Sequence, residues 1–190
     1  MVAQAKTVEP TVVNGINVDD LFALIDGVKR DAAKGMTRWH VSTSWQGQTR
    51  SRTQVEGFGI GGEQVARRFA IDIDEPHELG GSNRFANPQE HLLAALNACM
   101  TVGYAAQCAV RGIRLDSLEI ETDGDIDLRG FLGLDASVKP GYDELVVTVR
   151  LKAAASPLQL ERVHDFVCRT SPNRFNVSQP VRLRSRLVTG

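Results

Sequence analysis

Cysteine, aromatic residues and net charge are all scarce in this chain, and each shortage removes a class of protein. Only three cysteines, Cys99, Cys108 and Cys168, occur in 190 residues. An odd, widely spaced set supports neither a secreted disulfide framework nor a zinc site built from paired ligands. Lys plus Arg number 22 against 23 Asp plus Glu, a net charge of -1, so no whole-molecule field marks a polyanionic partner and no nucleic acid is expected. Uninterrupted apolar runs fall well short of the roughly 20 residues that span a bilayer, and residues 1–10 carry Lys6 and Glu9 without a hydrophobic block. A cytoplasmic chain without a membrane partner is the expectation. The four histidines, His40, His77, His91 and His164, lack metal-ligand spacing and read as surface or helix-end residues. Neither metal nor cofactor is expected.

What is present suits a self-supporting core. Apolar residues make up 42% of the chain and charged residues 24%, ordinary values for one large domain or two joined small ones. At this length a fold buries roughly 70% of the surface its unfolded chain exposes, so no covalent staple is needed.

Asn17, Asp19 and Asp20 ahead of Leu21, Phe22, Leu24, Ile25 and Val28 predict an N-capped amphipathic helix ending near Gly35. We take residues 1–36 as an N-terminal helical extension and 37–190 as the main domain. From Arg38 to about Ile73 short β-prone segments alternate with glycines, the pattern of an antiparallel meander. A turn-rich stretch, 74–86, leads to a long helix from Pro88 to Arg111, about 36 Å at ~1.5 Å per residue. Asn87 caps it, Pro88 suits its first position, and Glu90 sits where a capping-box carboxylate reaches back. Its interior is apolar on almost every face, so it should be buried from several sides as a central helix or half of a helix pair. Strands are expected at 118–122, 126–134 and 145–151. Ser156, Pro157 and Gln159 open a second helix that Pro172 ends. The final segment, 181–188, alternates Val and Leu with Arg182, Arg184 and Arg186, and reads as a strand with one wet, basic face. The fold class is α+β, with antiparallel sheets packed around buried helices.

Cys99 lies in the middle of the long helix, where a buried thiol is most often a small apolar filler. It stands eleven positions past Pro88, beyond the reach of the helix dipole, so a reactive thiolate there needs a cation from another segment. Cys108 is nine residues further on, on the opposite face, and reads as structural. Cys168, near the end of the second helix, could pair with a thiol on the central helix to make a two-cysteine redox centre. Gly57, Gly59 and Gly62 spell G-x-G-x-x-G but open no helix, which argues against a dinucleotide loop. Glu90 has a sufficient structural role as a cap.

The block Asn87-Pro88-Gln89-Glu90-His91-Leu92-Leu93-Ala94-Ala95-Leu96-Asn97-Ala98-Cys99-Met100-Thr101 resembles the OsmC/Ohr family of osmotically inducible and organic hydroperoxide resistance proteins. Asp74-Glu75-Pro76, Gly124 to Gly133 and Ser171-Pro172 before Pro180-Val181 extend the likeness, which runs from about Arg38 to Val188. The resemblance implies an OsmC-like fold, two antiparallel sheets wrapped around long central helices in an intertwined homodimer. It also implies a cofactor-free thiol peroxidase that reduces organic hydroperoxides, and to a lesser extent hydrogen peroxide, in oxidative stress defence. Cys99 matches the family's reactive cysteine; Arg50, with Arg52 second, matches the assisting arginine; Glu90 stands one residue past the family glutamate, whose place Gln89 takes. The family's second thiol precedes a proline, where this chain has Ser171. Resolution of oxidised Cys99 thus falls to Cys168, three residues earlier, or to an external thiol reductant. The alternative is a non-catalytic relative that holds a small apolar ligand at the dimer interface.

Overall fold

The computed structural model describes residues 11–190; Lys6 and Glu9 lie outside the described residues. The chain divides into two compact units, one up to Ala94 and the other from Ala95.

The first unit opens on a hairpin, β1 (Val12–Val13) against β2 (Ile16–Asn17). Asn14 and Gly15 take the positive φ values, 55° and 76°, that such a tight turn requires. Asn17 then caps α1 (Val18–Arg30), its side-chain oxygen accepting from the Asp19 and Asp20 amides. The helix stops five residues before Gly35, because Asp31 turns extended and its carboxylate caps a 3-10 turn over Ala32–Gly35 instead.

The expected meander follows. β3 (Thr37–Trp39) and β4 (Ser42–Trp45) line one edge of β5 (Ser51–Ile60), and β6 (Glu63–Ile73) lines the other, all antiparallel. The three glycines of the G-x-G-x-x-G sequence fall within this β5–β6 hairpin. A bulge interrupts the ladder between Val55 and Gly57, and a Cβ on Gly57 would stand 2.7 Å from the Val65 carbonyl oxygen. Glycine is therefore demanded by strand-to-strand approach.

Segment 74–86 is organised around one buried carboxylate. Asp74 accepts from the Thr49 hydroxyl at 3.0 Å, the Ser82 hydroxyl at 2.6 Å, and the Ser82 and Arg84 amides at 3.1 and 3.2 Å. These donors, led by the Ser82 hydroxyl, hold its pKa well below the ordinary carboxylate range. The chain then enters α2 (Pro88–Ala109) through the expected capping box: the Asn87 amide donates to Glu90 at 2.7 Å and the Glu90 amide to Asn87 at 2.8 Å.

In the second unit, α2 and α4 (Pro157–Thr170) pack on a two-stranded sheet, β7 (Leu115–Asp123) against β8 (Val146–Ala153). Leu118 and Ile120 alternate with Glu119 and Glu121, so one face joins the core while Arg150 bridges both glutamates on the other. Leu96, Met100, Tyr104 and Cys108 recur every fourth residue of α2 and form its buried row with Val163 and Val167 of α4. A Cβ on Gly103 would approach Val167 Cγ1 to 3.1 Å, so the missing side chain sets how closely the two helices pack. Among the described residues Val102 of α2 stays 68% exposed. With a mean hydropathy of 1.3, α2 is also long and apolar enough to cross a membrane, which the count of uninterrupted apolar residues does not register.

Two expected strands are absent. Over 126–134 the chain forms a short helix, α3 (Leu128–Phe131), because the Asp127 carboxylate accepts from the Arg129 amide at 2.9 Å and starts a helical turn. Segment 181–188 has no regular structure, and Leu183 and Leu187 are 87% and 86% exposed. Its alternation suits a strand only against a partner edge, and among the described residues no strand pairs with it. Pro172 ends α4 as expected, with Ser171 extended at ψ 116°, and at once begins α5 (Pro172–Ser178).

Candidate functional site

Cys99 is positioned by ties on both sides of its helix segment. Asn97, two residues earlier, donates to the Ile120 carbonyl at 3.1 Å and accepts from the Thr122 hydroxyl at 2.5 Å, which fixes α2 on β7. Asn173 at the start of α5 donates to the Ala95 carbonyl at 2.8 Å, one turn before the thiol. The α4–α5 corner is thereby held against the Cys99 segment. At that corner the Ser171 hydroxyl, only 6% exposed, donates to Cys99 Sγ at 3.4 Å and accepts from the Arg174 amide at 3.4 Å.

The three cysteines have different surroundings. Cys99 and Cys168 are half-buried, whereas Cys108 is fully enclosed. Burial pushes the Cys108 thiol up, partly opposed by Arg111, in keeping with a structural filler. Cys168 lies on the same α4–α5 corner as Ser171, but its sulfur meets His164 Nε2 at 3.5 Å, one turn back along α4. The other ring nitrogen, Nδ1, is 2.5 Å from the hydroxyl of Tyr104 on α2. His164 is exposed near the end of α4, as expected, yet it is not free of contacts. Its ring is fixed between a buried phenol and a thiol, a role that only the four-residue spacing to Cys168 could have signalled. Burial, with a smaller contribution from Cys168, holds the Tyr104 phenol far above its ordinary pKa, so it keeps its proton. Arg174 donates through Nη1 to the Cys168 carbonyl at 2.8 Å and joins the end of α4 to α5.

Arg50 and Glu90 belong to the first unit. Arg50 closes the turn between β4 and β5: its amide donates to Gly47 O at 3.1 Å and its Nη2 to Gln46 O at 3.2 Å. Its Nε is buried, and among the described residues it has no hydrogen-bond partner. Thr49 beside it ties the same turn to Asp74. Arg52 is committed elsewhere, in a two-pronged pair with Asp72 on the facing strand at 2.6 and 3.0 Å. The Glu90 carboxylate is engaged in capping α2.

A family model described as OsmC-like protein matches residues 81–185, more than half of the chain and the whole of the Cys99 to Ser171 geometry. No curated relative gives a significant match. Among solved structures, an OsmC-like protein from Mycoplasma pneumoniae superposes with a TM-score of 0.59 at 14% identity, over 74% of this chain and 87% of that one. An OsmC-like protein of unknown function from Vibrio cholerae gives 0.53 at 13% identity, over 73% and 92%. An organic hydroperoxide resistance protein from Legionella pneumophila gives 0.48 at 16% identity, over 73% and 88%. The α+β architecture, the central helix bearing Cys99 and the serine-proline corner beside it agree with the family match: this chain belongs to the OsmC-like family.

Proposed function

We propose that the protein is a cytoplasmic thiol peroxidase that reduces organic hydroperoxides at Cys99 and is restored by an external thiol. The observation that carries this reading is the Ser171 hydroxyl set 3.4 Å from Cys99 Sγ, at the position where the resemblance implies a second thiol. Cys99 as thiolate attacks the terminal oxygen of R–O–OH. The O–O bond breaks, the alkoxide takes a proton to leave as the alcohol, and the cysteine becomes a sulfenic acid. A serine cannot condense with that group, and the Cys168 sulfur is directed to His164 on α4 and not to Cys99. One thiol of an external dithiol therefore displaces water to form a mixed disulfide, and the second thiol releases Cys99 reduced.

Arg50 is the guanidinium that the resemblance assigns to the thiolate, and its unpartnered Nε supports a role beyond the turn it closes. Homodimer formation, also implied by the resemblance, is supported by the uncovered side of α2. Consumption of cumene hydroperoxide with a dithiol reductant tests the proposal. Wild type and Cys168→Ser should turn over alike, Arg50→Gln should slow, and Cys99→Ser should be inert. Consumption by Cys99→Ser equal to wild type would overturn it. A Cys99–Cys168 disulfide after one equivalent of peroxide would move the resolving step to Cys168.

A further inference from the structure

Cys168 has surroundings that the peroxidase reading leaves unused. Three residues from two helices converge: Cys168 Sγ to His164 Nε2 at 3.5 Å, and His164 Nδ1 to Tyr104 Oη at 2.5 Å. Tyr104 has no exposed surface, so it orients the imidazole from the core side, while the half-buried thiol faces outward. In either tautomer the ring is in hydrogen-bonding reach of the sulfur. As Nε2–H it donates to the sulfur; with Nε2 unprotonated it accepts the thiol proton and Nδ1–H donates to the phenol oxygen.

The thiol opens into a cleft of about 510 Å³ lined by Asp165, Cys168, Arg169, Arg174 and Phe175. Two guanidinium groups face one carboxylate there, so the cleft favours an anion. Phe175 adds apolar surface at the wall.

We propose that Cys168 is a modification site at which an anionic low-molecular-weight disulfide binds and forms a mixed disulfide. The carboxylates of the disulfide pair with Arg169 and Arg174, and Cys168 attacks one of its sulfurs. A new S–S bond forms to Cys168 as the old one breaks; the proton given up by Cys168 passes through His164 to the leaving thiolate, which departs as a thiol. The protein thiol is oxidised and the small disulfide reduced, with no other reactant. His164 touches the reacting sulfur, and Tyr104 is a positioning residue behind it.

The test uses the full-length chain in a Cys99→Ser background, so its result is independent of peroxide chemistry. Glutathione disulfide is the anionic probe and cystamine the cationic one, with rates read by intact mass and the site by peptide mapping. Modification at Cys168 should be at least about threefold faster with glutathione disulfide, the scale of a partly exposed ion pair. Arg169→Gln with Arg174→Gln should remove that preference by slowing glutathione disulfide, while the cystamine rate should hold or rise, which also reports that the corner remains folded. His164→Gln should slow both probes by about tenfold, because an amide cannot take up the thiol proton. Tyr104→Phe should lower the thiolate absorbance of Cys168 at neutral pH, which loss of packing alone would not do. Equal rates for the two disulfides, labelling confined to Cys108, or an unchanged rate in His164→Gln would overturn the proposal.

Discussion

The Ser171 hydroxyl donates to Cys99 Sγ across 3.4 Å, linking the cap of α5 to the middle of α2 over 72 residues of sequence. The two side chains are close enough that a sulfur in place of that oxygen needs only a small rotation to reach the roughly 2 Å of an S–S bond. Ser171→Cys should convert the protein from external to internal resolution. One equivalent of cumene hydroperoxide should then remove two titratable thiols, and peptide mapping without reductant should find position 99 joined to position 171. Loss of a single thiol, or a bond from Cys99 to Cys168, would show that the corner is not arranged as described.

How much of this was legible depends on the range of each signal. The starts of α2 and α4 were plain because a cap and its partner lie three residues apart: Asn87 with Glu90, and Ser156 with Gln159. Segment 126–134 misled because Ile126, Leu128 and Leu132 alternate well enough for a strand, while the deciding bond runs from Arg129 to Asp127. Arg182, Arg184 and Arg186 alternate just as well, yet no strand within the described chain receives them. At the site, Cys99 and Ser171 were marked through family likeness. The His164 contact was not, because its anchoring partner Tyr104 lies 60 residues away and no local pattern encodes it.

Asp74 makes stability depend on pH. Its folded pKa is depressed by the Ser82 hydroxyl, by backbone amides and by Thr49. Its contribution is therefore complete above the unfolded value of about 4 and drains away as pH falls toward the lowered folded value. Asp74→Asn keeps the shape but places an amide opposite amide donors. Urea melts should show the variant less stable at pH 7 and the gap narrowing as pH drops below about 4. A gap constant across that range would refute the carboxylate's role.

Gly103 faces Val167, whose methyl carbons would stand 3.1 and 3.3 Å from an added Cβ. Both residues lie in packed helices, so neither backbone yields easily. Gly103→Leu should cost about 1–3 kcal/mol through overpacking, more than the ~1 kcal/mol that glycine's poor helix propensity would return. Val167→Ala opens space at the same point, so the double variant should recover part of that loss. A coupling energy of about 0.5 kcal/mol or more in the double-mutant cycle is the expected reading. Strict additivity would mean that the helices separate instead of clashing.

Val102 is the sharpest departure from a fully covered central helix. It lies on α2 one residue before Gly103, yet it is 68% exposed, whereas Met100 and Tyr104 are enclosed. A long helix with apolar residues on nearly every side is stable in water only when each side is covered, and the described residues leave Val102 open. A second copy is the cover that the proposed homodimer supplies. Sedimentation at micromolar concentration should therefore give twice the mass of one chain. Val102→Lys should shift the population toward monomer, since a buried lysine without a partner costs several kcal/mol. Far-ultraviolet circular dichroism of the variant should remain that of the folded chain, because the residue is exposed within it. Peroxide turnover should fall together with the dimer fraction if the working site is completed across the interface. A wild-type chain that sediments as a monomer, or a Val102→Lys dimer as tight as wild type, would remove this helix from the interface.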